Sequence, residues 1–150
     1  MSATGRGAVP PRSLLRTAAL LVGAVFLLVG VLGFVPGVTA HYGDMSAAGT
    51  GSDAELLGIF QVSVLHNVVH LLFGVAGVLL SRTNEGARAY LVGGGVIYLV
   101  LWLYGLVVDK GSDANFVPLN TADDWLHFVL GVCMIGLGVA LGRTVRTSRV

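Results

Sequence analysis

Apolar and polar positions divide the chain into four long apolar runs with short polar stretches between them. The runs cover about residues 14–35, 57–80, 89–108 and 122–141. Each approaches the roughly 20 residues a helix needs to cross a bilayer. The pattern predicts an all-α protein, an integral membrane four-helix bundle. Pro36-Gly37 marks the end of the first run, because proline and glycine interrupt regular structure. "SRTNEGAR" reads as a tight turn between the second and third runs.

Polar side chains interrupt two of these runs in a regular way. The second contains "VSVLHNVVHLLFGVAG", residues 62–77. At the helical pitch, Ser63, His66, Asn67, His70, Gly74 and Gly77 all fall within an arc of about 100°. On the fourth run Asp123, Asp124, His127, Gly131, Gly138 and Gly142 share an arc of similar width, roughly 100°. Polar groups facing acyl chains would lack partners. The two stripes are therefore expected to face each other as a buried polar seam. His66 precedes Arg82 by 16 residues and His127 precedes Arg143 by 16, which places both about 24 Å above those arginines. Glycines at Gly74, Gly77, Gly131, Gly138 and Gly142 are expected to let helices pack closely.

Charge supplies an orientation. Eight of the nine basic residues fall at one end of the runs, with Lys110 the exception. They are Arg6, Arg12, Arg16, Arg82, Arg88, Arg143, Arg146 and Arg149. Excess arginine and lysine marks the cytoplasmic side, so both termini are expected inside a cytoplasmic membrane. The organisation is then an inner tail at 1–13, a membrane domain at 14–142 and a basic inner tail at 143–150. An alternative reading is a signal peptide, from Arg12 and Arg16, the first apolar run and "VTA" at 38–40. That run exceeds the 7 to 15 apolar residues expected of one. Cleavage before His41 would leave three spans.

Composition agrees. The chain is 55% hydrophobic and 11% charged, far below the roughly 25% charged of a soluble domain. Glycine, at 22 residues, fits close helix packing in a membrane. A net charge of +1 without a basic aromatic patch gives no sign of nucleic-acid binding. Cys133 stands alone in an apolar run, which reads as a small packing residue. The expected partners are the bilayer itself and, through glycine faces, a second copy.

The halves also echo each other. Arg16, Gly23, Phe26 and Gly33 recur 72 residues on as Arg88, Gly95, Tyr98 and Gly105. His70 and Gly74 recur as His127 and Gly131. This predicts a duplicated helical hairpin in parallel orientation. That alignment matches His70 with His127, whereas depth matches His66 with His127.

Thr121 reads as the N-cap of the fourth helix, with Asp124 as its N3 acid in a variant capping box. Asp123 lies one turn before His127 and is expected to accept from its imidazole. Three roles are open to His66, His70 and His127. They can form a hydrogen-bonded seam with Asn67 and Asp123. With Asp123 they can hold a metal or a haem, since imidazole ligates zinc, iron and copper, although "HNVVH" lacks a His-Glu-x-x-His signature. They can also mark a proton or small-solute path. Tyr104, Trp102 and Trp125 read as interface aromatics, and Tyr98 as an inward-pointing ring. "VGGGV" at 92–96 is no nucleotide loop, since no lysine follows it.

"LLGIFQVSVLHNVVHLLFGVAGV" and "NTADDWLHFVLG" together resemble a family of small bacterial four-span membrane proteins, domain of unknown function 4383, over about residues 12–142. The resemblance implies an actinobacterial type of protein and marks His66, Asn67, His70, Asp123, Trp125 and His127. It brings no activity with it. A more distant likeness to DoxX-type four-helix proteins leans toward redox accessory roles. The expectation is a non-enzymatic membrane or envelope module with a buried His/Asn/Asp seam, with no cofactor and an unspecified small-molecule ligand. Alternatives are a metal- or haem-binding redox accessory protein and a proton or small-solute conduit.

Overall fold

A computed structural model describes residues 13–147, without the side chains of 144–147. The inner tail with Arg6 and Arg12, residues 148–150 with Arg149, and the Arg146 side chain lie outside the described residues. Four helices carry the fold: α1 (Leu14–Leu32), α2 (Val64–Leu80), α3 (Asn84–Val107) and α4 (Thr121–Thr147). Three of them, α1, α3 and α4 as far as Arg143, are long and apolar enough to cross a membrane. The remaining helix, α2, is apolar but has 17 residues, about 25 Å against a hydrocarbon core of about 30 Å.

Side-chain caps set three of the helix starts. Ser13, Ser63 and Thr83 each accept from the backbone N–H three residues on, satisfying donors the helix leaves free. The second helix begins at Val64 rather than near Leu57, because "LLGIF" forms a hairpin instead. Hydropathy cannot separate a short apolar strand from helix. Here Leu57 and Gly58 both take positive φ and turn the chain between β2 (Glu55–Leu56) and β3 (Phe60–Gln61). Together with β1 (Thr39–Ala40) they form an antiparallel three-stranded sheet ordered β1-β2-β3.

The stretch from His41 to Glu55 reads in the sequence as a polar, glycine-containing outer loop or as a cap over the seam, and it is built into this cap. Ala54, Leu56 and Val62 form a small second core against Val29 and Leu32 of α1. Ser46 and Ala47 carbonyls accept from the Val64 and Leu65 amides at 3.1 and 2.9 Å. The loop thereby closes the free N-terminal donors of α2.

Although the shortest connection, residues 81–83, joins α2 to α3, the closest packing is α1 on α2 and α3 on α4. Glycine permits both. A Cβ on Gly23 would lie 3.0 Å from the Gly74 carbonyl oxygen, and one on Gly74 2.8 Å from that of Gly23. The second hairpin has the same contact between Gly95 and Gly131, at 2.8 and 2.9 Å. These are backbone-on-backbone approaches of the small-residue type. Between the hairpins α1 and α3 are the nearer diagonal. Their Leu15, Ala19, Phe26, Ala87, Leu91 and Tyr98 dominate the main core.

The outer surface of the bundle is apolar. Leu21, Leu28, Leu72, Val100 and Val129 are all exposed, a surface suited to lipid. Cys133 also points outward rather than packing between helices. Gly74, Gly77, Gly131, Gly138 and Gly142 lie against the chain's own helices. Those faces are therefore used within one copy.

Candidate functional site

Backbones of α2 and α4 stand apart, and histidines span the gap between them. The ring centroids of His66 and His70 are 4.5 Å apart, and those of His66 and His127 are 6.4 Å apart. His66 and His127 are 5% and 3% exposed. His70 lies one turn further in, against Phe26 at 5.6 Å, and Tyr98 closes on His127 at 5.2 Å. The i, i+4 spacing of His66 and His70 puts both rings on one face of α2.

Helix α2 points these rings into the bundle because Asn67, at the other edge of its polar stripe, faces α1. The Asn67 side chain fills the space a Cβ on Gly33 would need, and its amide lies 3.8 Å from the Met45 sulfur. A stripe about 100° wide is broad enough to meet two neighbours. The single seam expected to hold Asn67 with the histidines is thus two separate contacts.

Two apolar cavities share the histidines as a common wall. One, of about 230 Å³, lies between α1, α4 and the sheet cap, with Val25, Phe26, Leu57, Leu126 and Asp123 among its lining. The other, of about 210 Å³, lies toward α3 and the second outer loop, with Leu65, Tyr98, Leu101 and Phe116. His66, His70 and His127 line both. The Nδ1 atom of each of these histidines is buried with no hydrogen-bond partner. The Pro118 backbone takes a hydrogen bond from His66, which leaves its unpartnered Nδ1 as an acceptor when the ring is neutral.

Asp123 does not bond His127. Its Oδ2 accepts from the Asn120 amide at 3.0 Å and from the Gln61 amide at 3.1 Å. Asn120 Oδ1 accepts in return from the Asp123 amide at 3.0 Å. This is a reciprocal capping box, one residue earlier than the Thr121 and Asp124 pairing read from the sequence. Asn120 wins because its short amide side chain reaches the N3 amide, while Thr121 points outward and is exposed. The same carboxylate ties β3 of the cap to the start of α4, and the Asn120 amide adds a bond to the Ile59 carbonyl at 2.7 Å.

Asp124 is instead the partner of Lys110, at 2.7 Å. Its carboxylate fills the space beside Gly105 that a Cβ would need. Lys110, the basic residue that departs from the charge pattern, is therefore half of an ion pair. Sequence reasoning overlooked it, along with Gln61, Asn120 and Pro118. The clues were a lone lysine in the outer loop that leads to a pair of aspartates, and "LNTADD" with Asn three residues before Asp.

A metal reading of His66, His70, His127 and Asp123 loses its donor set. Among the described residues no group of three or more His, Cys, Asp or Glu side chains is arranged to hold a metal ion. The carboxylate that would complete one is turned to backbone amides. Trp125 is exposed at the start of α4, as an interface anchor would be. Tyr98 is buried. Tyr104 donates to the Ala114 carbonyl of the second outer loop.

Neither the curated proteins nor the solved structures contain a match to this chain. A family model, domain of unknown function 4383, matches residues 16–140, the whole run from the first helix through most of the fourth. The chain belongs to that family.

Proposed function

We propose that the protein is a non-enzymatic, membrane-embedded binding module whose ligand site is the histidine wall between its two hairpins. The observation that carries this is the coincidence of three unpaired imidazole Nδ1 atoms with two flanking apolar cavities. Apolar lining with a few convergent polar groups is what a small-molecule site needs. The cavities lie between the hairpins, where helix contact is sparse, rather than inside either tightly packed pair.

The module is two copies of one helical hairpin. Matched contacts support this: Gly23 on Gly74 and Gly95 on Gly131, Gly33 under Asn67 and Gly105 under Asp124. N-caps Ser63 and Asn120 also correspond. In that frame His70 and His127 hold equivalent places, while His66 corresponds to Asp123. The His66–His127 ring pair is therefore a contact the first hairpin makes with the second, not a repeat of one within each.

The host is the cytoplasmic membrane, with both chain ends inside and the sheet cap outside. Arg16, Arg82, Arg88 and Arg143 lie at one end of the bundle, opposite the cap, in keeping with the positive-inside rule. α1 stays with the mature chain, since its Gly23 surface is what α2 packs against. Lipid extraction of the purified chain followed by mass spectrometry tests the binding role. One bilayer-derived molecule per chain, lost in His127→Leu, is the expected result. A clean chain in both forms would contradict it.

A further inference from the structure

The geometry points to a membrane-dissolved lipid with a neutral, hydroxyl-bearing ring head, of phenol or hydroquinone type, as the ligand of the α1–α4 cavity. This rests on the binding role proposed above and names its chemistry. The polar end of the cavity is formed by His66, His70, His127 and Asp123. No lysine or arginine lines it, and Lys110 is committed to Asp124. A phosphate or carboxylate head would thus meet no cation there.

A hydroxyl fits what is present. His66 already donates to the Pro118 backbone, so its Nδ1 calls for a donor, and a ring hydroxyl supplies one. The volume of about 230 Å³ holds a ring head but not a long chain as well. Phe26 offers an aromatic face beside His70, which suits a flat ring.

The tail has a way out. Val25 is 54% exposed and Leu126 37% exposed, and both line the cavity as well as the outer face of the bundle. α1 and α4 make little contact with each other. The opening therefore faces acyl chains rather than water, and the sheet cap roofs it with Leu56, Leu57 and Phe60. A ligand enters sideways from the bilayer, head first, and leaves its tail between α1 and α4.

The test uses the full chain in lipid nanodiscs and native mass spectrometry. The probe is a farnesylated hydroquinone kept reduced; its dimethyl ether and tailless hydroquinone are the controls. Saturable binding of one probe per chain is expected, at least tenfold weaker for the ether, which lacks the donor, and for the tailless form. His66→Leu is expected to weaken the probe at least tenfold. Val25→Trp, which blocks the mouth without touching the polar wall, is expected to do the same and covers the case in which the histidine variant fails to fold. Equal binding of the ether, or full binding by Val25→Trp, would overturn the proposal. If another lipid from a total extract is carried at one per chain and lost in Val25→Trp while the hydroquinone is not bound, the ligand class falls and the binding role stands. If nothing binds saturably, both fall.

Discussion

Phe26 and Tyr98 stack ring on ring, with centroids 5.3 Å apart and planes 23° from parallel. One comes from α1 and the other from α3, 72 residues later. Each also touches a histidine of its own hairpin, Phe26 with His70 and Tyr98 with His127. The stack joins the two hairpins at the place where the histidine wall begins. Replacing Phe26 by Ala removes a buried ring and should cost about 3–5 kcal/mol. Thermal unfolding in detergent is the measurement, and Phe26→Leu should lose much less.

Close approach of the hairpin helices gives a second expectation. Gly74→Leu puts a branched side chain where even a Cβ would sit 2.6 Å from the Leu27 backbone nitrogen. Overpacking of this kind costs about 1–3 kcal/mol, and more when backbones must separate. Gly93 faces open space, so Gly93→Leu should be close to neutral. Comparing the melting temperatures of the two variants checks this directly.

Lys110 and Asp124 invite a double-mutant cycle. Asp124 has a side chain 5% exposed, while that of Lys110 is 36% exposed. Lys110→Met leaves a buried carboxylate without its cation. The loss should be on the order of 2 kcal/mol, below the full cost for a sealed pair because solvent screens the lysine. Asp124→Asn in the same chain should restore most of it. Additive losses would mean that the pair has no coupling.

The capping box joins local and distant structure. Asn120→Ala should cost about 1 kcal/mol through the helix cap, and it also loses the bond to the Ile59 carbonyl. Asp123→Ala should cost more, because it also frees the Gln61 amide of β3. Hydrogen exchange resolves the two effects. Only the Asp123 variant is expected to speed exchange at Gln61.

Much of this was legible in the sequence, and the failures share a cause. Apolar periodicity gave the helices, and the glycine and histidine spacing marked the inward faces. A stripe read on an isolated helix does not say how many neighbours divide it, so it groups Asn67 with His66 although Asn67 serves α1. Hydropathy merged the Leu57–Phe60 hairpin into α2 because a short apolar run carries no period of its own. Spacing pairs Asp123 with His127, yet two backbone amides outcompete one imidazole for its carboxylate. One of those amides, that of Gln61, comes from 62 residues away, a partner that local reading cannot supply.

Solid-state NMR of the ¹³C,¹⁵N-labelled chain in bilayers gives the most direct test of the histidine wall. Through-space cross-peaks linking the His127 ring to His66 and Tyr98, with no broadening of either histidine by spin-labelled acyl chains, are the predicted result. Strong broadening of the His66 or His127 rings by those lipids, or cross-peaks from His127 to lipid in place of His66, would contradict it.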